Sequence, residues 1–219
     1  MPALNEYASL FVRNGVHLMG SGVVGGNNTQ AEEIVISGVE GRVAFSVGQF
    51  HYETDGFRPN NDQRQDIYNV FLQGGNHRTS VQAEYRYRRD KRGDLPLRFR
   101  DDYNYENLRQ TDQYRSIRIG GRHSPSKNNQ FIVSAILRNA EHDANINESY
   151  GDLFLDIDQE GYLMEGQQIY QSNKIKLING IGHLISNMSE RDLFFYSPDE
   201  KERYLSTEDI QHTVLYSYL

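Results

Sequence analysis

The sequence predicts an all-β fold, an antiparallel up-and-down meander of about ten long strands. Short segments with period-two hydrophobicity run the whole length of the chain, and the connections between them alternate between tight and long. The tight connections lie at 40–41, 74–77, 124–129 and 172–173, and the long polar ones lie at about 53–66, 89–113, 140–156 and 186–207. Brief turns at one end and extended loops at the other are typical of outer-membrane β-barrels, whereas Greek-key sandwiches need no such alternation.

Ten segments carry the strand pattern. They are roughly 10–22, 33–39, 42–52, 67–73, 78–88, 114–123, 130–139, 157–171, 174–185 and 208–219. Lengths near ten residues match a tilted strand that crosses a bilayer. Strands of soluble proteins are shorter, with an average of only about 5 or 6 residues. We therefore expect residues 1–219 to form one domain, either a barrel or a barrel segment.

The composition narrows the classes of protein. The chain has no cysteine, which excludes a disulfide scaffold, a thiolate metal site and a cysteine nucleophile. Its net charge of -7 argues against nucleic acid as a partner. No apolar stretch is long enough for a transmembrane helix, but a barrel strand needs only every second residue to be apolar. The first residues, Met1 to Tyr7, lack the secretory signal that an outer-membrane protein needs, so either the chain is a fragment or mature region or the membrane interpretation is wrong.

Alternation is clearest in the fifth predicted strand. Val81, Ala83, Tyr85 and Tyr87 fall on one face, and Ser80, Gln82, Glu84, Arg86 and Arg88 fall on the other. The apolar residues of the sixth and seventh strands are Ile117, Ile119, Phe131, Val133, Ala135 and Leu137, while Ile132 and Ile136 interrupt the polar face. The apolar face points to a core in a soluble protein and to lipid in a membrane barrel, and the alternation alone does not separate these alternatives.

Positive charge collects on the polar face of the predicted strands. Its members are Arg86, Arg88, Arg118, Arg122, Arg138, Lys174 and Lys176, with few acids beyond Glu84 and Glu165. The acids instead crowd the long connections, at Asp55, Asp62, Asp66, Asp90, Asp94, Asp101, Asp102, Asp143, Asp152, Asp192, Asp199, Glu200 and Glu202. Because unpaired like charges are not tolerated in a dry lumen, this wall predicts a wide, porin-like wet interior or acidic groups supplied from inside it.

Five arginines form the best candidate for a ligand-binding site. We expect Arg86, Arg88, Arg118, Arg122 and Arg138 to line a lumen and to favour anionic solutes or the acidic surface of a plug. The alternative is the solvated face of an ordinary soluble sheet. No motif predicts catalytic residues, a metal site or a cofactor.

Weaker motifs have plainer interpretations. Asp156 to Gly161 resembles the start of a calcium loop, but Gln167 stands where a bidentate Glu is required. The tripeptide Arg92-Gly93-Asp94 is interpreted as exposed loop chemistry. A barrel hydrolase that pairs His123 with Asp112 at the rim is a third, weaker hypothesis.

A family resemblance lies in the stretch from Gly48-Gln49-Phe50 through Asp55-Gly56-Phe57-Arg58-Pro59-Asn60-Asn61-Asp62 to Ile67-Tyr68-Asn69. It resembles a strand-loop-strand unit of TonB-dependent-receptor-like outer-membrane barrels, of the type fused to tetratricopeptide repeats. The segments 14–28 and 93–99 resemble further pieces of the same region, and the resemblance spans most of the chain.

The resemblance implies a bacterial, Gram-negative outer membrane, with lipid around the barrel and a role in passing or binding a solute. It also implies a plug and a TonB-type energising partner, neither of which is recognisable in this sequence. Ten strands fall short of the usual 22 of this family, so we expect part of a larger barrel and no enzymatic activity. The runner-up is a soluble or surface-exposed β-sandwich that binds a ligand or partner through its long loops.

Overall fold

The protein forms a single antiparallel sheet of ten strands in sequential order. The computed structural model describes residues 14–96, 105–148, 151–197 and 200–219. The strands are β1 (Gly15–Val24), β2 (Gln30–Glu40), β3 (Val43–Thr54), β4 (Gln63–Gly75), β5 (Thr79–Arg92), β6 (Arg109–His123), β7 (Asn129–Glu148), β8 (Gly151–Gln171), β9 (Lys176–Ser197) and β10 (Glu200–Tyr218). The predicted meander is confirmed, although residues 10–13 of the first predicted strand lie outside the described ranges. Within those ranges β1 and β10 do not pair, so the sheet is not closed.

The strands lengthen along the chain, from 10 residues in β1 to 22 in β9. The prediction of long loops at 140–156 and 186–207 is wrong, because β7 to β10 continue through most of both stretches. Five acidic residues in each stretch lower the hydrophobic contrast between the faces, yet backbone pairing needs no apolar side chain. No helix in the described part of the chain has the length and apolarity to cross a membrane.

Each face of the sheet has its own chemistry. The residues predicted to be apolar form an outer face on which Val81 is 59% and Val133 59% exposed, and Tyr85 and Ile117 are exposed too. We call the following exposed outer-face residues the apolar band: Val16, Leu18, Ile36, Val43, Val47, Val70, Leu72, Val81, Tyr85, Ile117, Ile119, Val133, Leu137, Tyr162, Met164 and Ile181. The described residues provide no second sheet to cover them, contrary to the sandwich alternative.

The opposite, inner face is less exposed although no second layer covers it within the described residues. In β5, Ser80 and Asp90 are buried while Val81 and Ala83 are exposed. Side chains crowd together only on the concave side of a bent sheet, so this asymmetry indicates that the sheet curves toward its inner face. Among the described residues, Ala44, Leu108 and Ile132 are the only buried hydrophobic ones. An apolar core therefore does not hold this fold together.

The connection between β3 and β4 and the connection between β5 and β6 contact each other beyond the end of the apolar band. The carboxylate of Asp94 is fully buried and accepts hydrogen bonds from the Tyr105 backbone N–H (3.1 Å) and from Arg58 Nη1 (3.5 Å). The Asp94 N–H donates to the Asn60 carbonyl at 2.6 Å. A Cβ on Gly93 would lie 2.1 Å from that carbonyl, so glycine is required there. The interpretation of Asp94 as exposed loop chemistry is wrong, because the neighbouring connection encloses it.

Removing the buried carboxylate should loosen this junction. In the Asp94→Ala variant we expect the Tyr105 amide to lose its acceptor, and a buried hydrogen bond of this kind stabilises by roughly 1–3 kcal/mol. Hydrogen exchange of that amide should accelerate at least tenfold. The control is Asp62→Ala, because Asp62 is exposed, pairs with Arg109 at 2.7 Å and should cost less than about 1 kcal/mol. Equal exchange in the two variants would contradict the enclosed role of Asp94.

Candidate functional site

The five predicted site arginines all lie on the inner face of three adjacent central strands. Arg86 and Arg88 are on β5, Arg118 and Arg122 are on β6, and Arg138 is on β7. Strand register aligns them, since Arg86 pairs with Ser116, and Ser116 pairs in turn with Arg138. Side chains two residues apart share a face, so the alternation in the sequence is enough to place them there. Lys176 begins β9, but Lys174 lies in the turn before it and not on the wall.

The inner face holds a cavity of about 580 Å³. Three of the predicted arginines, Arg86, Arg88 and Arg118, line it. The remaining lining residues are Ile67, Asp112, Gln113, Tyr114, Ala140, Glu141, His142, Ile157 and Gln159. Arg122 does not line this cavity and instead lines a second one of about 280 Å³, near the tight turns. The geometry thus divides the predicted arginine set into separate sites.

Acids on the same and on neighbouring strands neutralise part of the arginine charge. Arg118 Nη1 lies 3.6 Å from Glu84 Oε2, and Asn69 Nδ2 donates to Glu84 Oε1 at 2.8 Å. Arg88 Nη2 lies 3.1 Å from Asp90 Oδ2. The chain itself therefore supplies some of the acidic partners that the cationic wall requires.

An ionic network closes the end of the cavity toward the long connections. Asp90 is 2% exposed and accepts from Gln63 Nε2 at 3.1 Å, and Arg92 Nη1 lies 3.6 Å from it. Arg92 also forms a close ion pair with Asp112, which shares a short hydrogen bond with His142 Nδ1. These residues alternate onto the inner face like the arginines, but the prediction assigned them to long loops, so their part in the site was missed.

Several other predicted loop acids also lie in strands. Asp66, Asp143, Asp152 and Asp192 belong to β4, β7, β8 and β9. Asp101, Asp102 and Asp199 lie outside the described residues. The predicted separation of acidic loops from a basic wall therefore holds only in part.

The position of Asp112 controls its ionisation. The rings of Tyr68 and Tyr87 stack with their centroids 6.2 Å apart and mark the edge of the apolar band. Asp112 lies beyond this edge, toward the long connections. Burial raises the pKa of Asp112, but hydrogen bonds from His142 and Arg92 and their positive charge outweigh it, so the pKa lies below the usual value of an aspartate. The carboxylate is ionised throughout the neutral range.

Two of the arginines have no carboxylate partner among the described residues. Arg138 donates only to the amide oxygen of Gln159, at 3.4 Å. The Arg122 Nε is buried without a hydrogen-bond partner. The wall below the ionic network therefore keeps an excess of positive charge among the described residues. An arrangement of several guanidinium groups on a polar concave surface can bind carboxylate or phosphate oxygens.

The structure supports neither the hydrolase pair nor the calcium loop that the sequence suggested. His123 bonds to Thr79 Oγ1 at 2.8 Å, at the opposite end of β6 from Asp112, so the proposed hydrolase pair does not form. Residues 156–161 run through the interior of β8 as extended strand and do not form a calcium loop. No cluster of three or more His, Asp or Glu side chains in the described ranges is arranged to hold a metal ion.

Comparisons with solved structures identify the fold. The chain is similar to the ferric yersiniabactin uptake receptor FyuA from Yersinia pestis (TM-score 0.78, 10% identity), covering 93% of this chain and 36% of that one. It is also similar to the siderophore receptor PiuA from Acinetobacter baumannii (TM-score 0.67, 11% identity, 94% and 40% covered) and to the ferric citrate transporter FecA (TM-score 0.63, 10% identity, 92% and 37% covered). No family model and no curated protein matches the chain.

The comparisons confirm the predicted fold resemblance. These receptors are TonB-dependent outer-membrane β-barrels, and the ten-strand sheet corresponds to part of such a barrel. The chain spans only about 36 to 40% of the length of the three receptors. At 10 to 11% identity the likeness establishes the fold and does not carry over any ligand.

The ionic network predicts a definite pH response at Asp112. A lowered pKa in the folded protein means that the stabilisation by ionised Asp112 is present above its unfolded pKa of about 3.9, and is lost as the pH falls through the folded value. Replacing Arg92 by Met should raise the pKa of Asp112, because a positive neighbour is removed. A carboxyl-carbon NMR titration measures this, with Arg191→Met, a distant exposed arginine, as the control. An unchanged Asp112 titration in Arg92→Met would contradict the network.

Proposed function

We propose that this chain forms part of an outer-membrane β-barrel of the TonB-dependent-receptor type, and that the barrel binds or passes a solute at the outer membrane. The observation that carries the proposal is the apolar band, which stays exposed in a fold with almost no buried hydrophobic residue among the described ones. Such a surface is unfavourable in water and suits the acyl chains of a bilayer.

The dimensions of the outer face agree with a bilayer. From the row of Thr79, His123 and Phe131 to the row of Tyr68 and Tyr87, β5 spans nine residues, at the lower end of the roughly 9–11 residues that a tilted strand needs to cross the hydrocarbon core. Aromatic rings lie at both ends of this stretch, as in the girdles that flank the roughly 25 Å apolar belt of membrane barrels. Beyond Tyr87, the outer face becomes charged at Arg89 and Lys91, which suits water outside the membrane.

The open edges favour a larger barrel. β1 and β10 each have one paired neighbour among the described residues, and unpaired backbone groups are not tolerated in the hydrocarbon core of a membrane. Further strands that pair with both edges would satisfy these groups. The receptors that share the fold are about two and a half times as long as this chain, which is consistent with such additional strands.

The inner face supplies the proposed ligand contacts. Arg86, Arg88 and Arg118 line the larger cavity, and the incompletely neutralised Arg122 and Arg138 extend the positive surface. We infer that the ligand, or the group that it presents to the wall, is anionic. The solved receptors are named for uptake or transport, which supports passage of a solute over catalysis. A plug and a TonB-type partner are part of this proposal, as is lipid around the outer face.

A cation placed on the apolar band should destabilise the inserted protein. Ile119→Arg puts a guanidinium in the middle of the band, and charges at the bilayer midplane cost roughly 2–4 kcal/mol. Thr111→Arg is the matched control, because Thr111 lies on the same face of β6 but beyond Tyr87. Urea unfolding in lipid vesicles measures both variants of the full-length protein. Equal stability of the two would argue against a lipid-facing band.

Reversing the charge of the wall should change ion selectivity. In the full-length protein, the double variant Arg118→Glu and Arg122→Glu should shift the preference from anions toward cations, because the excess positive charge is replaced by negative charge. The reversal potential across a planar bilayer under a salt gradient measures this shift. The control, Arg64→Glu with Arg115→Glu, makes the same charge change on the outer face. An unchanged reversal potential in the inner-face variant would reject the lumen assignment.

A further inference from the structure

The outer face changes from apolar to cationic just beyond the stacked rings of Tyr68 and Tyr87. Arg89 and Lys91 follow Tyr87 on the same face of β5, because side chains two residues apart share a face. With about 3.3 Å per residue and a tilt of roughly 35–45°, they lie about 5 Å and 10 Å beyond the tyrosine row. The headgroup layer on each side of a bilayer is about 5–8 Å thick. Both cations are therefore at the level of lipid headgroups.

The nearest carboxylate does not neutralise these two cations. Asp66 is the direct cross-strand neighbour of Arg89, but it bonds to His51 Nδ1 at 2.6 Å and lies 3.6 Å from Arg64 Nε. Within the described ranges, neither Arg89 nor Lys91 forms an ion pair, and the Arg89 Nε is buried without a hydrogen-bond partner. Lys91 also lies directly opposite Arg64, and like charges in that position repel. A bound anion would relieve this repulsion.

The next strand adds an uncharged donor beside the two cations. In the register of β5 and β6, Arg89 pairs with Gln113 and Lys91 pairs with Thr111. The Gln113 Oε1 accepts from Tyr87 Oη at 3.2 Å, which leaves the Gln113 Nε2 as the free donor of this amide among the described residues. Cβ atoms of direct partners are about 5 Å apart, and those of Arg89 and Lys91 about 7 Å. Long, flexible side chains bridge these separations, so all three can contact one group of the size of a phosphate.

We propose that Arg89, Lys91 and Gln113 bind the phosphate group of an anionic membrane lipid, and we call these three residues the headgroup site. The proposal rests on the proposed function, because it requires that the apolar band lie in a bilayer. All three side chains donate hydrogen bonds, and a phosphate monoester offers three strong acceptor oxygens. A lipid is favoured over a free anion because the band continues on the same two strands, at Tyr85 and Ile117, where acyl chains would lie.

The charge pattern restricts the site to one part of the outer face. The row of Lys91 continues across the later strands through Thr111, Asp143, Asp156 and Arg191. Arg191 has the same position relative to the band as Lys91, but its Nη1 lies 3.4 Å from the Asp156 carboxylate. Arg191 is therefore a matched control, an outer-face arginine at the same level that already has an anionic partner.

Native mass spectrometry of the full-length protein in detergent resolves individual lipid adducts and tests the site. The lipids are phosphatidic acid, which exposes a phosphate monoester, and phosphatidylcholine, whose phosphate carries a quaternary ammonium group. Inorganic phosphate is the competitor. The variants are Arg89→Gln, Lys91→Gln and the control Arg191→Gln. Lys91 is exposed, so its replacement should leave folding intact, which circular dichroism checks for every variant.

We expect the wild type to bind its first phosphatidic acid at least tenfold more tightly than phosphatidylcholine. Arg89→Gln and Lys91→Gln should each weaken this adduct about fivefold, the usual contribution of one cation near an anionic lipid surface, and Arg191→Gln should not. Three results would overturn the headgroup site: no preference for phosphatidic acid, equal weakening in Arg191→Gln, or displacement of the lipid by inorganic phosphate at the same concentration. The last result would indicate a site for free phosphate.

A failure of the headgroup site can be told apart from a failure of the proposed function. If phosphatidic acid is not preferred but Ile119→Arg still destabilises the inserted protein more than Thr111→Arg does, only the headgroup site is wrong. If those two variants are equally stable in vesicles, the lipid-facing band is wrong as well.

Discussion

The structure depends on one continuous ladder of backbone hydrogen bonds that joins ten strands in register. Because side chains alternate with period two, a slip of one residue would exchange the apolar band for the arginine wall. The pairing runs without interruption from β1 to β9, and its only register shift among the described residues is at Glu200 and Lys201, at the loop end of β10. Only three hydrophobic residues are buried in the described ranges. Backbone hydrogen bonds between strands, and not a packed apolar core, therefore hold this sheet together.

The same alternation explains what the sequence could predict. Strand number, order and the two faces of β5 follow from residues such as Val81 and Arg86, whose contrast in polarity is large. The lengths of β7 to β10 could not be predicted, because acidic residues such as Asp143 and Asp152 lie in paired strand while resembling loop sequence. Ile132 shows the opposite effect: it interrupts the polar face in the sequence, yet it is 5% exposed, buried within the inner face.

The candidate site was predictable only in part. Its arginines could be placed because each lies in a segment with clear alternation, but the network of Asp90, Arg92, Asp112 and His142 lies where strands were taken for loops. Partners across strands also depend on register, which a single sequence does not specify. Ser116 illustrates this, since a serine on a polar face attracts no attention until the register places it between Arg86 and Arg138. The wall is therefore a partly neutralised surface with a local excess of positive charge.

The most direct measurement is the accessibility of spin labels along β7 of the full-length protein in a bilayer. The chain has no cysteine, so single cysteines at positions 131 to 138 introduce labels without a background signal. The outward sites, including 133, 135 and 137, should collide with oxygen dissolved in lipid, and the inward sites, including 134 and 138, with a water-soluble nickel reagent. The two accessibilities should alternate with period two and opposite phase. In-phase accessibilities, or outward sites that neither reagent reaches, would contradict a sheet with lipid on one face and water on the other.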